Sequence, residues 1–241
     1  MLRQNVYHMP SLNMCGFLFS GADTGGFGGD ATRELLLRWL AVSAFTPLMR
    51  NHASIQTRHQ ECYRFRKPED FKTVVTLRYR LLPYLYSEFM KAALRQDMFI
   101  LPLAFGYPGD QRARQIEDQL LVGESVMIAP VLEPGVRGRS VYLPEPMTQV
   151  RYGAGGFTCT EVEAGEQTIE VPQNEVVFYI RQGKLVPVGK AAANTAELAL
   201  TEVELLGGGT TYEQYIDDGY TKQCGLECCV TRRKGEAALV K

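Results

Sequence analysis

Along the first hundred residues, apolar positions come in compact blocks divided by polar loops. Residues 15–19 (CGFLF) form a continuous apolar run that stops at Ser20-Gly21, the pattern of a short strand covered on both faces, as in a parallel sheet. Residues 30–32 (DAT) supply helix-capping side chains, and residues 34–45 (ELLLRWLAVSAF) are apolar on nearly every face, which predicts a helix packed around most of its circumference. A second run, residues 45–49 (FTPLM), is broken by Pro47 and leads directly into Arg50-Asn51-His52, as the next strand or the approach to one. A polar loop follows. Lys67-Pro68-Glu69-Asp70 then opens a long helical pattern through Thr73, Leu77, Tyr84, Phe89 and Leu94, with a kink expected at Pro83. This part of the chain reads strand, helix, strand, helix.

After Gln96-Asp97 the rhythm turns to short apolar runs between Gly, Pro and acidic stretches. Residues 126–131 (VMIAPV), 140–144 (SVYLP), 167–172 (QTIEVP) and 176–180 (VVFYI) have strand length and composition, and their spacing predicts an antiparallel β-sandwich. A polar break at 189–194 (GKAAAN) precedes an apolar run at 198–205, a glycine turn at 207–209 and the stretch 212–220, where a further small β-module begins. Residues 227–231 (ECCVT) read as one more strand, and residues 232–241 leave little room to finish a second sandwich. The expected organisation is α+β and multidomain, divided as 1–96, 97–189 and 190–241, with the last unit incomplete.

Composition narrows the function classes. Apolar residues make up 45% of the 241 positions and charged residues 22%, ordinary values for a globular protein. Lys and Arg number 26 against 27 Asp and Glu, so the net charge of −1 gives no field suited to nucleic acid or an anionic membrane. No run approaches the ~18 apolar residues of a membrane helix, and the opening residues show no small-residue cleavage site, so a cytoplasmic protein is expected. The six cysteines, Cys15, Cys62, Cys159, Cys224, Cys228 and Cys229, contain no C-x-x-C pair, and they read as mostly buried free thiols rather than bridges or a zinc site.

The chemistry is concentrated in residues 21–30 (GADTGGFGGD) and in Arg50-Asn51-His52. The glycines at 25, 26, 28 and 29 would let the backbone turn sharply and approach a ligand, and their spacing does not match the G-x-G-x-x-G of a dinucleotide site. Residues 16–52 (GFLFSGADTGGFGGDATRELLLRWLAVSAFTPLMRNH) resemble the segment around the last two barrel strands of glycoside hydrolase family 31, the α-glucosidases and α-xylosidases. In the same order, residues 76–89 (TLRYRLLPYLYSEF) resemble its last barrel helix, 120–145 (LLVGESVMIAPVLEPGVRGRSVYLPE) the sandwich that follows, and 215–221 (YIDDGYT) an acidic turn of the outermost β-module.

The resemblance implies a partial (β/α)8 TIM barrel, its last two strand-helix units, followed by the antiparallel β-sandwich, with the site at the C-terminal ends of the strands. It implies that Asp23, past the seventh strand, bonds sugar hydroxyls or orients a neighbouring arginine. Phe27 forms an apolar wall for the ring, Arg50 holds a carboxylate such as that of Asp23, and His52, past the eighth strand, binds a hydroxyl. A pyranose offers hydroxyls that need donors and acceptors and a C–H face that needs an aromatic. The implied ligand is an α-glucoside or oligosaccharide, with neither cofactor nor metal. Retaining members need two carboxyls ~5–5.5 Å apart. In the family these lie upstream of the matching stretch, so this chain is expected to hold no catalytic residue and to be inactive alone. The missing N-terminal part of the barrel could then reside on another chain, the product could be a truncated gene, or the chain could be a non-catalytic carbohydrate-binding or structural module.

Other readings stand beside these. Asp23 could cap a turn through its own backbone, and His52 could be a hydrogen-bonded structural residue. Asp30 reads as a helix cap, Trp39 as core rather than sugar platform, His8 and His59 as surface residues, and Asp217-Asp218 as a solvated turn that lacks the ligand count of a calcium loop.

Overall fold

The N-terminal third is helical where the sequence pattern suggested alternation. A computed structural model describes residues 1–221 and the backbone of residues 230–234, so Cys224, Cys228 and Cys229 lie outside the described residues. Helix α1 (Leu2–Met14) buries Leu2, Val6 and Met9, spaced at helical intervals, although Pro10 lies within it. Helix α2 (Arg33–Ser43) starts at Thr32, whose hydroxyl accepts from the Leu35 amide at 3.1 Å, and it buries Leu36 through Leu40 without a break. Helix α3 (Pro68–Arg95) has its proline in the first turn and carries Pro83 inside it. It ends at Gln96, which adopts φ +58° as its cap.

The two expected strands of this region are absent. Residues 15–19 and 45–49 run as turns and loop, and their pairing is reduced to one parallel bridge, Asp23 to Arg50, flanked by a bond from the Leu48 amide to the Ser20 carbonyl at 3.2 Å. A parallel strand buried on both faces requires a ladder on each side. Among the described residues none is present, and Phe17 and Phe19 stand 65% and 69% exposed.

From residue 100 the chain is mostly strand. β1 (Ile100–Pro102), β2 (Leu120–Val122), β3 (Val126–Ile128), β5 (Met147–Gly153), β6 (Gly156–Val162) and β8 (Val176–Arg181) form one antiparallel sheet in the order β1-β2-β3-β8-β5-β6. β4 (Gly138–Leu143) and β7 (Gly165–Glu170) form a separate ribbon, and a short helix α4 (Leu103–Gly106) follows β1. The pleat sends alternate side chains into two cores. Val126, Ile128, Val176, Phe178 and Ile180 join the core of α1, α2 and α3, whereas Met127, Val177 and Tyr179 join Val141, Leu143 and Ile169 of the ribbon. The sheet is thus covered by helices on one face and by a two-stranded layer on the other. β9 (Val186–Gly189) pairs with β10 (Val203–Leu206), and β11 (Thr211–Tyr215) with β12 (Val230–Lys234), so the strand expected at 227–231 is seen from Val230 onward.

Buried polar bonds fix the helices to the sheet. The wholly buried Tyr84 hydroxyl donates to the Val122 carbonyl at 2.6 Å and accepts from the Ser125 and Val126 amides. Glu88 accepts from the Tyr212 hydroxyl at 2.6 Å and pairs with Lys91 at 2.6 Å, and Lys91 also reaches Glu124. Arg78 donates to the carbonyls of Ala44, Thr46 and Pro47, clamping the loop that leads to Arg50. Burial lowers its guanidinium to about 10. Among the described residues no helix is long and apolar enough to cross a membrane.

Candidate functional site

Two loops meet along α2. The first, residues 20–31, leaves the turn after α1; the second, residues 46–61, leaves the Arg78 clamp. They approach so closely at Gly21 that a Cβ there would sit 2.5 Å from the Leu48 carbonyl oxygen, which only glycine permits. The Thr24 amide donates to the Arg50 carbonyl at 2.7 Å, and the Thr24 hydroxyl donates to that of Ser43 at 3.0 Å, fastening the first loop to the end of α2. Gly25 and Gly26 turn at φ +97° and +92°, and the Gly26 amide closes the turn on the Asp23 carbonyl. Gly28 and Gly29 have ordinary φ and open space where a Cβ would go, so neither is required by the turn.

All four sequence-predicted residues lie on this pair of loops. Arg50 Nε and Nη2 donate to Asp23 Oδ1 at 2.9 and 2.6 Å, with Arg50 more exposed than its partner. The Phe27 and His52 rings face each other with centroids 5.5 Å apart and planes tilted by 32°. Both are exposed, and the Phe27 carbonyl accepts from the Ser54 amide at 2.8 Å, so the two loops are joined again next to the ring pair. Asp30 does not cap α2. Thr32 holds that position, and Asp30 Oδ1 accepts from the Arg58 amide because the chain has already turned away from the helix axis. Trp39 is buried under the turn, its ring 3.6 Å from where a Gly26 Cβ would stand.

One residue went unnoticed in the sequence. Gln60 is 4% exposed, and its Nε2 donates to the carbonyls of Thr24, Gly26 and His52. Its own carbonyl accepts from Asn51 Nδ2 at 2.9 Å. Asn51 also bonds the Cys62 thiol, which burial nevertheless pushes up. Cys62 and Cys159 are half-buried and Cys15 is exposed, all three as free thiols, so these cysteines are less buried than expected. Their positions, at a loop edge, a sheet edge and a helix end, leave each with one open side.

Away from these loops, Asp218 accepts from the Tyr220 and Thr221 amides and from the Thr221 hydroxyl, while Asp217 accepts from the Tyr86 hydroxyl at 2.7 Å. His59 and His8 are exposed, with His59 3.7 Å from Glu61. Among the described residues no three His, Cys, Asp or Glu side chains converge as a metal would need.

Two family models match the chain in succession: the glycosyl hydrolases family 31 TIM-barrel domain over residues 1–88 and the glycosyl hydrolase family 31 C-terminal domain over residues 96–186. The chain belongs to glycoside hydrolase family 31. Within it, Alpha-glucosidase 2 of Bacillus thermoamyloliquefaciens is 35% identical over 228 residues, covering 91% of this chain and 28% of the relative. A chain in a structure of the ER glucosidase II heterodimeric complex, consisting of catalytic subunit and the binding domain of regulatory subunit, superposes with a TM-score of 0.77 at 26% identity, over 90% of this chain and 24% of that one. A Flavobacterium johnsoniae family 31 dextranase complexed with isomaltotriose gives 0.77 and 26%, over 90% of this chain and 28% of that one. The chain spans about a quarter of the length of the curated relatives it matches.

Proposed function

We propose that this chain supplies the C-terminal part of a retaining α-glucosidase-type site acting on α-linked glucosides, and that it contributes walls rather than reacting carboxyls. Asp23 accepts a sugar hydroxyl through Oδ2 while Arg50 holds Oδ1, Phe27 lies against the C–H face of the ring, and His52 bonds a hydroxyl beside it. One observation carries the reading. The Asp23–Arg50 pair and the Phe27–His52 ring pair stand on two loops locked together. The order of the two family 31 matches and the α-glucosidase relatives support it.

The carboxyl inventory points the same way. A retaining glycosidase needs two carboxyls ~5–5.5 Å apart, one attacking the anomeric carbon and one protonating the leaving oxygen. Asp23 Oδ1 is held by Arg50 and Asp30 Oδ1 by the Arg58 amide, and in this reading both carboxylates shape the loops rather than cleave the bond. The acid pair then comes from outside these residues. In this reading residues 1–96 correspond to the last two strand-helix units of a (β/α)8 barrel, whose strands would pair fully only beside their barrel neighbours, residues 97–189 to a β-sandwich and residues 190–241 to a distal β-module. The exposed Phe17 and Phe19, on a run with strand composition, support a barrel whose neighbouring strands would cover them, on the same or a second polypeptide.

Two measurements on the purified chain test this. Isomaltose titrated into isotopically labelled protein should shift the Phe27 and His52 ring signals, and His52→Ala should remove the response. Shifts confined to residues 97–189 would instead favour a carbohydrate-binding β-module. Hydrolysis of an aryl α-glucoside should be absent, and turnover abolished by Asp23→Ala would refute the assignment of the acids to another segment.

A further inference from the structure

The buried amide of Gln60 sits where three pieces of the candidate site converge. The Thr24 and Gly26 carbonyls belong to the glycine turn that carries Phe27, and the His52 carbonyl belongs to the opposite loop. Gln60 Nε2 reaches them at 3.3, 3.3 and 3.2 Å, so two protons serve three acceptors. The orientation of the amide follows from its surroundings, because turning it over would set Oε1 against three carbonyl oxygens. Oε1 itself is buried without a partner. It lies 3.1 Å from where a Gly25 Cβ would stand, so the glycine at φ +97° makes room for the side chain. Gln60 is anchored in turn, since its carbonyl accepts from Asn51, the neighbour of His52.

We propose that Gln60 is a positioning residue for the sugar-facing pair Phe27 and His52, an inference that rests on the sugar-site reading above. It touches no ligand. It sets the distance between two loops that are otherwise joined by the Ser54-to-Phe27 bond beside the rings, by the Asp23–Arg50 side and by the Arg58 bonds to Asp30 and Ala31 farther along. A residue that only filled volume could be replaced by one of equal shape, whereas a donor could not.

Gln60→Met keeps length and volume and removes the donors, and the test is made on the labelled 241-residue chain. The Phe27–His52 cross-peaks should vanish from nuclear Overhauser spectra. Amide exchange at Thr24 and Ser54 should quicken by about tenfold or more, while Leu77 and Leu81 in α3 keep their wild-type rates. A folded variant with the ring cross-peaks intact and these two amides unchanged overturns the proposal. Should Gln60→Met fail to fold, Asn51→Ala decides, because it loosens the anchor of Gln60 and leaves its donors in place. It should weaken the same cross-peaks, and unchanged intensities overturn the proposal. The sugar reading is judged separately by isomaltose added to wild type. If wild type gives no response while Gln60→Met still separates the two rings, the loop-positioning role stands and the sugar is removed from it.

Discussion

Tyr84→Phe removes the one oxygen that bonds three buried backbone groups. The hydroxyl donates to the Val122 carbonyl at 2.6 Å and accepts from the Ser125 and Val126 amides at 3.0 and 3.1 Å, closing the turn between β2 and β3. Burial, with the nearby Glu88 charge, pushes its ionisation far above the ordinary phenol value, so it remains a donor at any physiological pH. The ring itself stays packed, 6.0 Å from Tyr212. An unsatisfied buried donor or acceptor costs ~1–3 kcal/mol, and the space left by a single oxygen is too small for water, so the variant should lose about 3 kcal/mol. With a urea m-value of roughly 2–3 kcal/mol/M for a chain of this size, the midpoint falls by about 1 M. Tyr84 lies in the segment matched as barrel and its partners in the segment matched as C-terminal domain, so the transition should remain single. A midpoint within about 0.3 M of wild type would refute the reasoning. Two resolved transitions in the wild type would refute the shared core.

Gly21→Ala drives a Cβ to within 2.5 Å of the Leu48 carbonyl and 2.9 Å of the Leu48 Cβ, so the loops must part and the Leu48-to-Ser20 bond is broken. A loss of ~1–3 kcal/mol is expected in thermal melts, together with a changed emission from Trp39, the only tryptophan, and an unchanged spectrum would contradict it. Asp218 is held at about 2 by the Thr221 hydroxyl and by the amides of Thr221 and Tyr220. Its folded value lies below the ordinary 3.8, so its contribution to the turn is present above about 4 and is lost as pH falls toward 2. Carboxyl-carbon NMR should show a midpoint near 2 that rises in Thr221→Ala, and a wild-type midpoint near 4 would sink the assignment.

What could be read from the sequence was what local chemistry decides. The capping stretch 30–32, Pro68 in the first turn and the all-round apolar face of α2 placed two helices correctly, although the cap is Thr32 and not Asp30, because each signal acts within a few residues. β8 was legible as VVFYI since both its faces are buried, and β4 and β7 were found within a few residues of their ends. β5 and β6 were missed. β6 is a sheet edge and its Thr and Glu positions are mostly exposed, β5 interleaves Thr, Gln and Arg with its buried apolar positions, and their register comes from pairing across the Gly153-to-Gly156 turn rather than from composition. α1 was missed because Asn13 and Pro10 obscure its apolar spacing. Asn13 is nonetheless buried, with Oδ1 accepting from the Phe99 and Ile100 amides to tie α1 to β1. Residues 15–19 misled in the opposite direction, since a composition suited to cover on both faces does not by itself provide the cover.

The candidate site has the same division, and that explains why its upper half was readable and its lower half was not. Arg50 is 56% exposed, so its pair with Asp23 adds only ~0–1 kcal/mol to folding. Phe27, exposed at 51%, keeps about half of its surface in water and gains little from burial. Residue types that stabilise so little where they stand are explained by what they could meet, and a motif of such residues is visible in a bare sequence. The layer below consists of Gln60, Thr24, Ser43 and Trp39, all buried. These polar residues and one tryptophan have no sequence spacing that announces them, since Gln60 reaches back 34 and 36 residues for two of its bonds. Only the fold brings them under the glycine turn. The rigidity that the proposed sugar-facing pair requires would therefore originate in residues outside the ligand's reach.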